Sequence, residues 1–170
     1  MGVLHAMTAG GDAEIHLVRT DTVAHGFEHL YQAEYAGMVR LARRLVDSTE
    51  RAEEIVQDAF AKVYDRWDRL DQPGGYLRTA VVNGARSELR KREVRRRVGL
   101  ESRRGDEPGD RDYLLDALEA LPAKRKTALV LRFYADLPER EIAEIMGVRP
   151  GTVKSLLSRG LAELRTVIDR

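Results

Sequence analysis

Apolar residues recur along this chain at steps of three and four, which is the spacing of one face of an α-helix. Most of the chain shows this period, and the predicted helices cover residues 23–46, 50–70, 76–97, 112–121, 124–134, 138–146 and 151–165. Nowhere does a sustained alternation of apolar and polar residues mark a half-buried strand. The pattern therefore predicts an all-α protein.

Composition divides these helices into two groups. Residues 98–111 read VGLESRRGDEPGDR, which has no apolar period and holds Gly, Pro and charges, as flexible linkers do. Residues 1–22 hold small, flexible residues and few large apolar ones, so we expect a mostly disordered tail there. The sequence thus predicts a three-helix domain over residues 23–97 and a four-helix domain over residues 112–170, joined by a flexible linker.

The last two predicted helices have the features of a helix-turn-helix. Ile142 and Met146 share one face of the first helix, and Gly147 suits the left-handed conformation that ends a helix. The second helix has one aliphatic face, and its opposite face carries Thr152, Ser155, Ser158 and Arg159. A helix that reads DNA needs one buried face and one face with donors for the major groove. The pattern favours DNA binding over an ordinary helical hairpin with a solvated polar face.

The second half of the third predicted helix is strongly basic. Its positive residues are Arg86, Arg90, Lys91, Arg92, Arg95, Arg96 and Arg97. Many such runs are only solvated helix ends. Contact with phosphates also requires such a run, because each neutralised phosphate releases counterions and strengthens binding. Together with the helix-turn-helix, the run indicates a second DNA-contacting surface.

Composition excludes several classes of site. The 170 residues carry a formal net charge of +1 and include no Cys, which excludes disulfides, thiolate zinc sites and cysteine redox switches. The four His, at positions 5, 16, 25 and 29, lack metal-site spacing, so we expect no metal and no cofactor. No apolar run approaches the roughly 18 residues of a membrane span, and no secretory signal begins the chain. We expect a soluble cytoplasmic protein.

Three segments together resemble the bacterial RNA polymerase sigma factors, and most closely the small, two-domain extracytoplasmic-function (ECF) group. In that family, the helix that docks on the polymerase clamp is similar to AEEIVQDAFAKVYDRWD at residues 52–68. The loop and helix that open and read the −10 promoter element are similar to PGGYLRTAVVNGARSELRKR at residues 73–92. The −35 reading domain is similar to residues 121–165, and the whole resemblance covers about residues 24–168.

The resemblance implies three functional surfaces. The surface for core polymerase would contain Glu54, Gln57, Asp58 and Lys62. The −10 surface would contain Asn83, Arg86, Ser87, Arg90 and Lys91, and residues 71–75 would form the wall of a pocket for a flipped base. The −35 surface would contain Arg149, Thr152, Lys154, Ser155, Ser158 and Arg159. Within it, Arg159 is the first candidate for a base edge and Lys154 for a phosphate.

A sigma factor binds core RNA polymerase and directs it to promoter DNA, while the polymerase does the chemistry. The resemblance also implies an anti-sigma protein as a regulatory partner, without membrane insertion. Two features depart from the family. Tyr76 stands where the family often has Trp or Phe. Ser158 and Gly160 replace larger or basic residues, so base readout would depend more on Arg159 and on DNA shape.

Two other functions remain as alternatives. A stand-alone helix-turn-helix regulator would explain residues 138–165 but not the basic helix that follows PGGYLRTAVVN. It would bind its operator without polymerase. A recombinase or transposase would need a Ser or Tyr nucleophile among clustered Arg on a catalytic domain, and the sequence shows no such arrangement. We therefore expect a protein that is not an enzyme.

Overall fold

Helices joined by turns and short irregular connections make up the part of the chain that the structure, a computed structural model, describes. This part consists of residues 11–46, 48–98 and 117–168, and none of them lies in a strand. The all-α class predicted from the hydrophobic period is confirmed within these ranges. The linker predicted over residues 98–111 lies outside them apart from Val98, as does the first part of the helix predicted over residues 112–121.

Three helices form the first group, and they are α1 (Gly11–Leu45), α2 (Thr49–Tyr64) and α3 (Pro73–Arg97). A single 3₁₀ turn, Trp67–Arg69, follows α2. Ser48 caps α2, because its hydroxyl accepts a hydrogen bond from the Arg51 backbone N–H at 3.2 Å. The buried side of α2 consists of Ala52, Val56, Ala59, Phe60 and Val63.

Two helix starts differ from the sequence-based expectation. Helix α1 begins at Gly11, so it includes residues 11–22, which the composition assigned to a disordered tail. Extending a helix costs far less than nucleating one, so a well-packed helix can continue through a segment with few apolar residues. Helix α3 begins at Pro73 rather than at residue 76. Proline suits a first helical position, because it lacks the N–H that is unsatisfied there.

A close approach of backbone to side chain sets how α2 and α3 pack. A Cβ atom added at Gly84 would lie 2.8 Å from Cγ2 of Ile55, a distance that real side chains do not tolerate. Gly84 therefore allows α3 to approach α2 at this level. In the second group, Gly160 has the same role, since a Cβ atom there would lie 3.0 Å from Cδ1 of Leu129.

The second group contains a helical turn at residues 117–119, then α4 (Ala123–Leu129), α5 (Glu139–Met146) and α6 (Pro150–Ile168). The helix predicted over residues 124–134 ends differently, because its last part, Val130–Tyr134, is a single π-helical turn. Arg132 supports the chain after this turn by donating from Nη1 to the Leu137 carbonyl at 3.0 Å. Gly147 ends α5 with φ of 64°, which confirms the predicted left-handed position.

The two groups pack against each other through one buried apolar cluster. It joins Leu77 and Val81 of α3 with Leu131 and Ile142 of the second group, all nearly or fully inaccessible to solvent. Helix α3 contacts both α4 and α5, and α1 contacts the π-helical turn. The described parts of the two groups therefore form one continuous body.

Candidate protein- and nucleic-acid-binding surfaces

The polar face of α2 is open to solvent. Glu54, Gln57, Asp58 and Lys62 are all exposed, on the side of the helix opposite its buried residues. Arg51 donates from Nη1 to Oε2 of Glu54 at 2.6 Å, and this hydrogen bond and the carboxylate's charge raise the pKa of Arg51. Because both side chains are more than half exposed, the pair adds little to stability. The face is available to a partner.

A cleft of about 380 Å³ brings two of the predicted surfaces together. Glu54, Asp58 and Lys62 of α2 line one side of it, while Ser87 and Lys91 of α3 line the other. Gln57 does not line this cleft. Residues assigned from sequence to polymerase contact and to −10 contact are therefore neighbours, separated only by the groove between two packed helices.

Six aromatic side chains, to which neither the helical period nor the family resemblance assigned a role, form a cluster between α1, α2 and the turn after it. Its members are Phe27, Tyr31, Tyr35, Phe60, Tyr64 and Trp67. Tyr31 stacks on Tyr35 with ring centroids 4.9 Å apart, and Phe27 meets Tyr64 edge-on at 5.1 Å. Spacings of four residues along both helices were the available signal. Tyr31 and Tyr64 remain exposed.

The predicted −10 residues lie along α3 but differ in accessibility. Asn83, Arg90 and Lys91 are exposed, whereas Arg86 and Ser87 are half-buried. Arg86 donates from Nη1 to the backbone carbonyl of Met146 at 3.0 Å. Burial, and secondarily the charge of Arg90, lower the pKa of Arg86. The structure therefore places one predicted DNA residue against the second helix group rather than in solvent.

A second cleft, of about 410 Å³, lies beside Arg86 between the two groups. Arg90 and Glu93 of α3 also line it, and Lys124 and Arg125 line it from α4. Arg125 is itself paired with Glu163 of α6. Arg90 and Lys124 place positive charge on both sides of the cleft, which suits contact with polyanions, while Glu93 offsets part of it.

Residues 71–75 were predicted to form the wall of a pocket for a flipped base. Only the first two of them precede α3, because this helix begins at Pro73. Gln72, Gly75 and Thr79 still border a cleft of about 610 Å³ whose other side is formed by α5. Tyr76, the departure from the family pattern, is half-buried, and the Arg66 guanidinium lies 5.7 Å from its ring centroid. That contact occupies part of the tyrosine surface.

All six residues predicted for −35 contact are exposed, and they cluster at the start of α6. They are Arg149, Thr152, Lys154, Ser155, Ser158 and Arg159. Val153 and Leu157 of the same helix are buried on its other side. The Ser155 hydroxyl donates to the Gly151 carbonyl at 3.1 Å. One buried face and one polar face on the second helix of a helix-turn-helix is the arrangement that major-groove binding requires.

Leu161 of α6 is an apolar residue with 37% of its surface exposed. It borders an apolar groove of about 290 Å³ together with Phe133 and Leu164. Among the described residues, no group of three or more His, Asp or Glu could hold a metal ion. Nor does any helix in that part of the chain have the length and apolar character to cross a membrane.

Comparisons with known proteins match both helix groups. The family model for sigma-70 region 2 matches residues 30–95, and that for sigma-70 region 4 matches residues 111–164. The RNA polymerase sigma-E factor of Streptomyces coelicolor is 34% identical over an alignment of 148 residues, which covers 82% of this chain and 84% of that protein. The sigma factor SigV of Bacillus subtilis is 33% identical over an alignment of 139 residues, which covers 77% of this chain and 84% of that protein.

Two solved structures share the fold. The sigma factor RpoE of Bartonella quintana, in complex with the anti-sigma factor NepR, superposes with a TM-score of 0.68 and 24% identity, covering 85% of this chain and 97% of that one. CnrH, in complex with the cytosolic domain of CnrY, superposes with a TM-score of 0.66 and 20% identity, covering 86% of this chain and 89% of that one.

Proposed function

The chain belongs to the ECF group of RNA polymerase sigma factors. We propose that three of its surfaces bind core polymerase, the −10 element and the −35 element, respectively. As a sigma factor, it binds core RNA polymerase and directs transcription initiation at promoter DNA. The observation that carries this function is the match of region 2 and region 4 models, in that order, to residues 30–95 and 111–164. A stand-alone regulator is not favoured, because it leaves the region 2 match unexplained.

The −35 element is read by the exposed face at the start of α6. Arg159 is long enough to reach a base edge, and the fork of its guanidinium suits bidentate bonds to guanine. Lys154 and Arg149 supply positive charge for phosphates, which position the helix without reading sequence. The short hydroxyls of Thr152, Ser155 and Ser158 let the helix sit deep in the groove. The buried Val153 and Leu157 support this proposal by fixing which face points outward.

Polymerase and the −10 element share the groove between α2 and α3. Glu54, Gln57, Asp58 and Lys62 dock on the polymerase, and Asn83, Arg86, Ser87, Arg90 and Lys91 contact the −10 DNA. The common cleft lined by Asp58 and Lys91 supports the pairing of these tasks, because DNA bound to α3 then lies beside the docked polymerase. The basic residues provide the salt-dependent part of the affinity.

The chain acts as an initiation factor and has no catalytic activity of its own, since the polymerase forms the phosphodiester bonds. Its place of action is the cytoplasm, where polymerase and chromosome are found. An anti-sigma protein is a further partner. In the first superposed structure, the sigma factor RpoE is in complex with the anti-sigma factor NepR, and in the second, CnrH is in complex with the cytosolic domain of CnrY.

Run-off transcription from a promoter library, with core polymerase and with or without this protein, tests the function. We expect transcripts that begin only when the protein is present, and their start sites define the −10 and −35 sequences. Tight binding to duplex DNA by the protein alone, with no polymerase-dependent transcript, would instead establish a stand-alone regulator.

Asp58→Ala is expected to weaken binding to core polymerase about tenfold, because it removes a charged contact from the α2 surface; tenfold corresponds to about 1.4 kcal/mol. Glu53→Ala is the matched control, since Glu53 is an exposed acidic residue of the same helix outside the proposed surface. Affinity is measured by fluorescence anisotropy of the labelled protein titrated with core polymerase. Equal losses in both variants would show that α2 docks through net charge rather than through this surface.

A further inference from the structure

One turn of α1, from Gly26 to Leu30, contacts the chain on both sides of the segment predicted to wall the −10 pocket. We propose that Gly26 and Trp67 position this segment, residues 71–75, and thereby set which −10 base the pocket accepts, without touching DNA themselves. The proposal rests on the proposed function, because it takes residues 71–75 as a border of the −10 site. It adds two positioning residues to those that determine promoter specificity.

Trp67 packs directly on the backbone of α1. A Cβ atom added at Gly26 would lie 2.9 Å from Cζ2 of the indole, which is closer than real side chains allow. The Phe27 ring meets the indole in an edge-to-face contact, with ring centroids 5.7 Å apart. Glycine weakens the interior of a helix, so the close approach of Trp67 is what α1 gains from having glycine at this position.

A short hydrogen-bonded turn connects this contact to the pocket wall. Trp67 begins the 3₁₀ turn Trp67–Arg69, and its carbonyl accepts a hydrogen bond from the Leu70 backbone N–H at 3.2 Å. Leu70 is the one residue between this turn and residues 71–75, and it packs half-buried against the core. A displacement of the indole therefore moves the start of the wall, because no long loop is present to absorb it.

The other end of the wall lies against the same turn of α1. A Cβ atom at Gly74 would lie 3.9 Å from Cδ1 of Leu30, an ordinary contact distance, so the start of α3 packs beside Leu30. Leu30 follows Gly26 by four residues and thus lies one turn along the same face of α1. Because both ends of the wall pack on this face, their separation depends on how closely Trp67 approaches Gly26.

A second contact extends the effect to the aromatic ring next to the wall. The guanidinium of Arg66, the residue before Trp67, lies 5.7 Å from the centroid of the Tyr76 ring. Tyr76 is also tied to the wall, since its backbone N–H donates to the Gln72 carbonyl at 3.1 Å. A shift of the turn carries Arg66 with it and changes which part of the Tyr76 ring is covered. The contact of Trp67 with α1 therefore influences both the backbone of the wall and the ring beside it.

Gly26→Ala tests the proposal in run-off transcription with core polymerase and a promoter library randomised at both the −10 and the −35 elements. We expect the preference at one or two −10 positions to fall about fivefold, while the −35 preferences stay unchanged. Preferences are ratios between templates in one reaction, so they do not depend on the fraction of protein that is folded. Gly37→Ala is the matched control in the same helix, since its added Cβ would lie 3.9 Å from Nη2 of Arg40, an ordinary contact.

Substitutions of Trp67 identify the contact responsible. Trp67→Phe removes the part of the indole that contains Cζ2 and keeps an aromatic ring beside Phe27. Combining it with Gly26→Ala should therefore regain most of the −10 preference that Gly26→Ala loses. Trp67→Ala creates no clash but releases the turn from α1, and it should flatten the −10 preference as Gly26→Ala does. Trp67→Ala keeps the proposal testable if circular dichroism shows that Gly26→Ala does not fold.

The proposal fails if Gly26→Ala keeps the −10 preference of Gly37→Ala, or if it flattens the −10 and −35 preferences equally. It also fails if Trp67→Ala leaves the −10 preference unchanged, or if Trp67→Phe restores none of it in the double variant. Failure of the proposed function is distinguishable, because an unmodified protein that starts no transcripts would count against the sigma-factor function before any variant is compared.

Discussion

Arg159→Ala is expected to reduce affinity for a −35 duplex about 10- to 100-fold and to flatten its sequence preference. A bidentate contact of arginine with a guanine is worth about 1–3 kcal/mol of discrimination, and the side chain stands exposed on the outward face of α6. Fluorescence anisotropy against a set of duplexes, each carrying one substituted base pair, measures both effects. The preference should disappear at one or two adjacent positions only.

Lys154→Ala is the control for Arg159→Ala, because Lys154 is assigned to a phosphate. It should weaken binding to all duplexes by a similar factor and should reduce the salt dependence of the affinity by about one counterion. The two substitutions therefore separate base reading from positioning. If Arg159→Ala weakened every duplex alike, Arg159 would be a phosphate contact, and DNA shape would account for the −35 preference.

Ile142→Ala is expected to lower the free energy of unfolding by about 2–5 kcal/mol, because it leaves a cavity in a site with no solvent access. Ile142 belongs to the buried cluster that includes Val153 of α6, so the loss falls on the support of the −35 surface. Since small domains have a total stability of about 5–15 kcal/mol, a large part of it would be removed. Urea unfolding followed by circular dichroism measures the change.

Arg140→Ala serves as the matched control in the same helix, since its side chain is 89% exposed. It should change the free energy of unfolding by about 0.5 kcal/mol or less. A loss below about 1 kcal/mol for Ile142→Ala would show that the core around α5 collapses to fill the cavity. In that case, the orientation of α6 would depend less on this side chain than its burial indicates.

Several features of the helix-turn-helix could be predicted from local sequence alone. The spacing of apolar residues at three and four positions predicted that Ile142 and Met146 would face inward, and both are buried. Gly147 takes the left-handed conformation expected of it, because other residues meet a steric penalty there. The six residues expected on the −35 surface are exposed for the complementary reason: they occupy the face of α6 away from the core. Their contacts with DNA remain predictions.

Contacts between residues that are distant in sequence could not be predicted from the helical period. The Arg86 side chain and the Met146 carbonyl are 60 residues apart, and Arg78 and Glu141 are 63 apart. Arg86 was predicted to contact −10 DNA, and no sequence pattern distinguished Arg78 from other charged residues. Gly84 likewise gave no signal, because its importance comes from the approach of Ile55 on another helix. Helix period says which face of a residue's own helix is apolar, but not which helix will cover it.

The sequence by itself determined the helices, their apolar faces, the turn at Gly147 and the family, since these depend on residue type and short-range spacing. Only the tertiary structure decided that α1 begins at Gly11, that Gly84 and Gly160 permit close packing, and that α3 lies along α5. Those features depend on how helices pack, where the burial of apolar surface competes with the solvation of charged groups. Arg86 depends on both the sequence and the tertiary structure. Its charge follows from the sequence, whereas its availability to DNA depends on the packing of the two helix groups.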